Sequence, residues 1–461
     1  MAFDFNDLQY LSTPLPANVQ KFKMRGDLDR AAESIRIYLE KDIPYALRAR
    51  LNMELEILKR LPLDYSHNFE QAVARCQANI SDFTAEELTK LQDNNDVEWI
   101  FINGEVYFLN RFMENLINCY PEYAARCTNP EKLDNPERKK MLNEQIAKMK
   151  ENGKAGYHYK MRVSLKTNPE KARVGTPVKV HLLLPLEYAQ IKNVNILSYS
   201  DAEKVTVADS EVMQRTICFE ETLKEADKEY FVEFEFDNIS KYVNPDPEKV
   251  SLAQPKFYTD EVLPHIQFTP YIQALTKEII GDETNPLKKA RMIYDYVTSH
   301  VNYSFMPNYF TNPNLVEYIA VGGKGDCGIQ ALMFITLCRC AGVPARWQSG
   351  VYTHPLNAGS HDWAQYYVAP YGWLYADPSF GTSSYRAGNF ERRDFYAYNL
   401  EPFRLPSCQE FQQQYYPVPK DHMRRDPYDT QGGEIEYIDR AFEPDEYDYD
   451  CEILESYPID C

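Results

Sequence analysis

The sequence predicts an α+β chain in three parts: a mainly helical N-terminal region, a β-sandwich, and a unit in which one helix feeds an antiparallel β-sheet. Three observations predict it. Apolar residues recur at helical spacing from Leu28 to Lys150. The period becomes two between Tyr157 and Asp237. Helical spacing returns at Asn285 and yields to short strands after Pro344. At 461 residues the chain exceeds what one core usually serves, about 250 to 300 residues. The division expected is 1–155, 156–248 and 249–433, with 434–461 set apart as an acidic tail.

In the first part, helices are expected over Leu28 to Leu39, Tyr45 to Leu61, Asn68 to Ile80 and Arg138 to Lys150. Thr84 with Glu87 fits a capping box, in which each residue satisfies the other's free backbone N–H. Val97 to Leu109 alternates around Asn103-Gly104, the two-residue signal of a hairpin. In the second part, Tyr159, Met161, Val163 and Leu165 alternate with polar neighbours. So do Val178, Val180, Leu182 and Leu184, and later Val232, Phe234 and Phe236, as strands with one buried face must. The prolines of Asn244 to Glu248 punctuate the chain as a linker. In the third part, Asn285 caps a helix that opens with Pro286 and ends near His300. A second helix runs from Cys327 to about Ala341 and stops at Gly342. Strands follow at Ala345 to Tyr352, His361 to Val368 and Trp373 to Ala376.

Composition narrows the function. The 44 % hydrophobic and 26 % charged fractions are those of an ordinary globular protein. The net charge of −19 is concentrated: Glu434 to Cys461 holds 11 acidic residues against one Arg. An acidic balance disfavours general binding to nucleic acid or to anionic membranes, which draw on basic patches. The tail's Tyr437, Phe442, Tyr447, Tyr449 and Tyr457 exceed what a merely solvating tail carries, so it is expected to pack along the catalytic unit near its cleft. Ten Cys without a CxxC pair are too few for a disulfide scaffold. With no basic-then-apolar leader and no long apolar run, the expected location is the cytoplasm.

The stretch that carries chemistry begins at Gly322, Gly323 and Gly325, which precede Cys327 at the first turn of its helix. There the helix dipole and unpaired N–H groups favour a thiolate and offer an oxyanion donor. A thiol nucleophile needs a base, and the base an orienting acceptor. His361 begins one strand and Asp377 ends the next, so neighbouring antiparallel strands can set them side by side, with Cys327 delivered to the other ring nitrogen.

These pieces resemble the transglutaminase-like superfamily of papain-type cysteine enzymes. Gly325-Asp326-Cys327, Val343-Pro344-Ala345-Arg346, His361-Asp362-Trp363, and Gly372-Trp373 with Asp377-Pro378 occur in the family's order. The resemblance covers about Asn285 to Gly381 and implies a papain-like core with Cys327 as nucleophile, His361 as base and Asp377 as orienting acid. It implies a protein or peptide substrate and an acyl-enzyme intermediate, released by water in a peptidase or amidase or by an amine in a transglutaminase. Hydrolysis is favoured, since the additional domains of the animal cross-linking enzymes are not found. Peptide N-glycanase chemistry is disfavoured by the missing CxxC zinc pair. Asp362 departs from the pattern, which usually has a small residue there. Tyr303 and Asn308 are candidates for the side-chain oxyanion donor.

Simpler readings apply elsewhere. Cys338 and Cys340 are packing thiols, and Trp347, Trp363 and Trp373 are core aromatics. GGKG lacks the Ser or Thr of a phosphate loop. No HExxH or calcium-loop spacing occurs, so neither metal nor cofactor is expected. The alternative function is a protein-binding scaffold in which the triad is vestigial. The sequence does not give the oligomeric state.

Overall fold

The computed structural model describes residues 4–128, 135–251, 253–416 and 418–461. Its N-terminal helices include Leu28–Leu39, Tyr45–Asp64, Phe69–Asn79, Ala85–Asp93 and Pro136–Asn152. Thr84 and Glu87 form the expected reciprocal cap, and Asn68 forms a second with Gln71. The hairpin pairs Trp99–Ile102 with Glu105–Phe108. Its turn residues Asn103 and Gly104 both have positive φ, as a tight hairpin turn demands. Glu54 is fully buried in this region and is matched by Lys23 and Arg50, each at 2.7 Å.

Two four-stranded antiparallel sheets follow. In one, Lys154–Thr167 pairs with Glu229–Lys241 so that Tyr159 faces Phe236, Met161 faces Phe234 and Val163 faces Val232, all six buried. The other is built on Pro177–Leu183 and Thr216–Thr222. The last 28 residues do not form a separate tail, because they supply one edge strand to each sheet, and Tyr449 lies beside Gln431 as a tail packed near the cleft would. Glu434–Tyr437 pairs with Pro177–Leu183, and Tyr447–Ile459 runs the length of Lys154–Thr167. The alternation was present in the sequence but masked by charge. Tyr449, Cys451 and Ile453 pack against the core, while Asp448, Glu452 and Glu455 stand opposite Lys166, Arg162 and Lys160. Opposite charges across a strand pair are favourable.

The third sheet runs, edge to edge, Gly372–Ala376, Asn357–Val368, Ala345–His354 and Arg404–Cys408. The fourth of these strands was not foreseen. Pro406 argues against a central strand, yet an edge strand tolerates it because one side needs no backbone donor. The helix Cys327–Cys340 lies against this sheet. Its residues Ile329, Leu332, Met333, Phe334, Ile335 and Leu337 are all buried. A helix buried on every side is fixed by packing, which suits a helix that must hold its first residue in place.

Candidate active site

Cys327 is the first residue of its helix and is partly exposed. Asp326 caps the helix: its carboxylate accepts the N–H of Ile329 at 3.3 Å and also that of Gly328. The Cys327 N–H has no hydrogen-bond partner among the described residues, so it is free to serve an oxyanion. Gly325 is held by Asn302–Tyr303, which pairs in parallel with Lys324–Gly325. Burial pushes the Asp326 carboxyl up to about 6, against the Tyr309 hydroxyl and the backbone donors that favour its charge.

His361 and Asp377 meet as their strands predict. His361 Nε2 lies 2.8 Å from Asp377 Oδ2. The other carboxylate oxygen caps the helix Pro378–Arg386, accepting from Phe380 N at 2.9 Å and Ser379 Oγ at 3.1 Å. Burial would raise the Asp377 carboxyl, but His361 and Arg404 outweigh it and hold it at about 2. Asp377 is therefore ionised, Nε2 carries the shared proton, and Nδ1 remains an acceptor. Burial lowers the imidazole despite Asp377, so the ring rests neutral. Phe380, Trp363 and Tyr352 pack around it.

Arg404 was missed by the sequence reading. It is fully buried, reaches Asp377 Oδ2 at 2.8 Å and forks onto Glu401 at 3.0 and 3.2 Å. Its guanidinium lies among the rings of Phe380, Tyr352 and Trp363 at 4.6 to 5.3 Å. No motif marks it, and it sits on the strand that the sequence did not reveal. A periodicity search relaxed for edge prolines is the signal that could have found it.

The thiol is not hydrogen-bonded to the imidazole. Cys327 Sγ donates to Asp362 Oδ2 at 3.3 Å, accepts the Asp362 backbone N–H and meets the Tyr303 hydroxyl. Burial, then Asp362 and Asp326, push the thiol well above its usual range. The Tyr303 hydroxyl thus lies beside the sulfur. Asn308 does not. Its side chain caps a short turn through Phe310 N and ties Arg60 to the Arg425 carbonyl. Trp363 is a core residue, donating to Gln348 Oε1 at 2.6 Å.

Two distant regions shape the surroundings. From the N-terminal helices, Asn115 takes both backbone groups of Phe305, at 2.8 and 2.6 Å, and Asp64 accepts Asn308 N at 2.8 Å. These bonds pin the loop that carries Tyr303 and Tyr309. From the crossover between Cys408 and Glu434, Gln431 Nε2 donates to Asp362 Oδ1, and the Asp429 carboxyl hydrogen-bonds that of Asp362. A cavity of about 270 Å³ opens beside this point, lined by Ser360, Asp426, Asp429, Gln431, Tyr447 and Tyr449 among others.

Residues 273–378 match the family model of the Transglutaminase-like superfamily and carry that core. The match spans Cys327, His361, Asp377 and the strands between them. An uncharacterized protein of Haemophilus influenzae is 26 % identical over 137 residues, which cover 25 % of this chain and 37 % of that protein. A Cytophaga hutchinsonii structure described as a candidate cysteine protease is similar over 66 % of this chain and 91 % of its own, with TM-score 0.39 and 16 % identity. The periplasmic domain of TgpA from Pseudomonas aeruginosa is similar over 50 % of this chain and 98 % of its own, with TM-score 0.26 and 13 % identity. Among the described residues, no helix is long and apolar enough to cross a membrane.

Proposed function

We propose that this chain, whose residues 273–378 carry a transglutaminase-like core, is a cysteine enzyme acting on amide or peptide bonds through Cys327, His361 and Asp377. The observation that carries the reading is the 2.8 Å bond between His361 Nε2 and Asp377 Oδ2. It leaves Nδ1 as the acceptor in a site where Cys327 heads a helix. A base oriented in this way takes the thiol proton as sulfur attacks the carbonyl carbon, and the C–S bond forms. The carbonyl oxygen becomes an oxyanion, met by the Cys327 N–H and the Tyr303 hydroxyl. As the intermediate collapses, the C–N bond breaks and the imidazolium returns its proton to the leaving amine. Water, deprotonated by His361, then cleaves the thioester. Hydrolysis is preferred to transfer onto an amine, and the substrate is a protein or peptide.

Before attack, the thiol must turn from Asp362 towards the ring. That contact is the specific observation favouring the alternative, a protein-binding scaffold with a vestigial triad. One experiment separates the two: peptide, Gln-amide and glycopeptide substrates assayed with the wild-type chain and Cys327→Ala. Turnover that disappears in the variant is expected; equal turnover removes the mechanism. Iodoacetamide labelling at about pH 6 supplies a second arm. An activated Cys327 reacts faster than the other cysteines and slows in His361→Ala, whereas a vestigial triad shows neither effect.

A further inference from the structure

We propose that Asp362 is a positioning residue for the Cys327 thiol, and that the one proton it shares with Asp429 sets how readily that thiol ionises. The inference rests on the reading above and concerns a side chain to which the Cys-His-Asp scheme gives no part.

The geometry is closed on every side. Asp362 Oδ2 accepts from Cys327 Sγ at 3.3 Å, and its own backbone N–H points at the same sulfur. Oδ1 accepts from Gln431 Nε2, and the Asp429 carboxyl completes the set. Both carboxyls are at most 5 % exposed. Two carboxylates hydrogen-bonded to each other must hold a proton between them, since neither has a donor when ionised. Other titratable groups facing the pair are Asp326 and the hydroxyls of Tyr303 and Tyr309 beside Asp362, and Arg424, Asp426 and Glu434 beside Asp429. Arg424 is the cation among these, and it stands on the Asp429 side, where it favours the charged form. Burial raises Asp362, and Asp429 raises it further, in keeping with one proton held by the pair.

The consequence concerns the sulfur. With the proton shared, the pair carries one negative charge spread over two residues, and the neutral fraction of Asp362 leaves room for a thiolate 3.3 Å away. With the charge confined to Asp362, a thiolate faces a full anion at contact and His361 must work against it. The crossover that supplies Asp429 and Gln431 therefore tunes the nucleophile without touching it.

The test is the pH dependence of Cys327 labelling by iodoacetamide in the full chain, read by peptide mass, with the remaining cysteines as internal reference. Asp362→Asn moves the charge one residue further from sulfur, and the labelling midpoint should fall by about one pH unit. Asp429→Asn leaves the negative charge on Asp362 alone, and the midpoint should rise. A purely structural role predicts no such opposition of sign. Midpoints that stay put, or that move in the same direction, overturn the proposal. Should Asp429→Asn fail to fold, Asp362→Asn still decides, because an unchanged or raised midpoint in that variant overturns it. His361→Ala keeps the two readings separate. If it leaves the wild-type profile unaltered, the nucleophile assignment falls; if it alters the profile while the carboxyl variants do not, this inference alone falls.

Discussion

Arg404 Nη1 and His361 Nε2 reach the same oxygen, Asp377 Oδ2, each at 2.8 Å. The carboxylate that orients the imidazole is thus also paired with a guanidinium, itself shared with Glu401. Asp377 stays ionised, yet it supports an imidazolium less than an unshared carboxylate would. The cation also lies in a box of aromatic rings, where it has no water to turn to. Arg404 fixes the geometry of the base at some cost to its basicity.

Arg404→Met should therefore do two things. Removing one member of a buried ion pair costs about 3–5 kcal/mol, here by leaving Glu401 buried and unmatched. Because Arg404 lowers the His361 pKa, its loss should move the imidazole titration upward. Thermal denaturation checks the first effect and the pH dependence of the histidine ring proton resonances the second. Arg404→Lys, which keeps the charge without the fork, should fall between wild type and Met in stability.

Gly328 is the residue beside the nucleophile that no side chain can replace. A Cβ there would collide with the Tyr309 hydroxyl and stand 2.9 Å from Asp362 Oδ2. Gly328→Ala should force both partners aside, costing about 1–3 kcal/mol. It should also speed Cys327 labelling, by pushing away the carboxyl that raises the thiol. Labelling at the wild-type rate in a folded Gly328→Ala protein would show that Asp362 does not govern the sulfur.

The N-terminal helices should matter to the chemistry through the loop they hold. Asn115 gives the Phe305 backbone both of its hydrogen bonds. Asn115→Ala strands a part-buried carbonyl and a part-buried N–H, at about 1 kcal/mol for each group left unsatisfied. It should also loosen Tyr303, two residues away, so kcat should fall more than KM rises. A stability loss with kcat unchanged would mean that the loop needs no such support.

These cases show what the sequence could and could not reveal. The helix of Cys327 and the strands of His361 and Asp377 were legible, because apolar period and capping chemistry are local properties. So was the hairpin that sets His361 beside Asp377, since a short turn fixes register. Arg404 and Asp429 were not legible. They reach the site through edge pairing and a long crossover, and neither leaves a trace in nearby residues. The tail was set apart for a related reason: eleven acids in 28 residues dominate any average and hide the alternation from Tyr447 to Ile453. Asp362 was noticed as a departure, but its partners on the crossover could not be named.

The tail's role gives a prediction of its own. Deleting residues from Tyr447 onward removes the strand that pairs with Lys154–Thr167 along its length. It also uncovers Tyr159, Met161, Val163 and Leu165 at an unprotected edge. Such an edge invites pairing with another chain. The truncated protein should lose cooperative unfolding or aggregate, as seen by thermal melting and size-exclusion chromatography. A monomer melting like the full chain would make the strand dispensable.

Asp426 gives a dependence on pH whose sign can be worked out. Burial, and then the nearby Asp429, raise its carboxyl from an ordinary 3.8 to about 7. Its Oδ1 accepts Tyr428 N at 2.9 Å, a bond that an amide oxygen can keep. The folded chain thus holds a proton that the unfolded chain releases near pH 4. A raised carboxyl contributes its full stability below the unfolded pKa and loses it as pH rises through the folded one. Asp426→Asn removes this dependence. The variant and the wild type should therefore be about equally stable near pH 4, with the variant ahead by about 4 kcal/mol at pH 8. The measurement is urea denaturation at both values. A variant less stable at pH 8 than at pH 4, relative to wild type, would place an uncompensated demand for the carboxylate itself in the cavity beside Ser360.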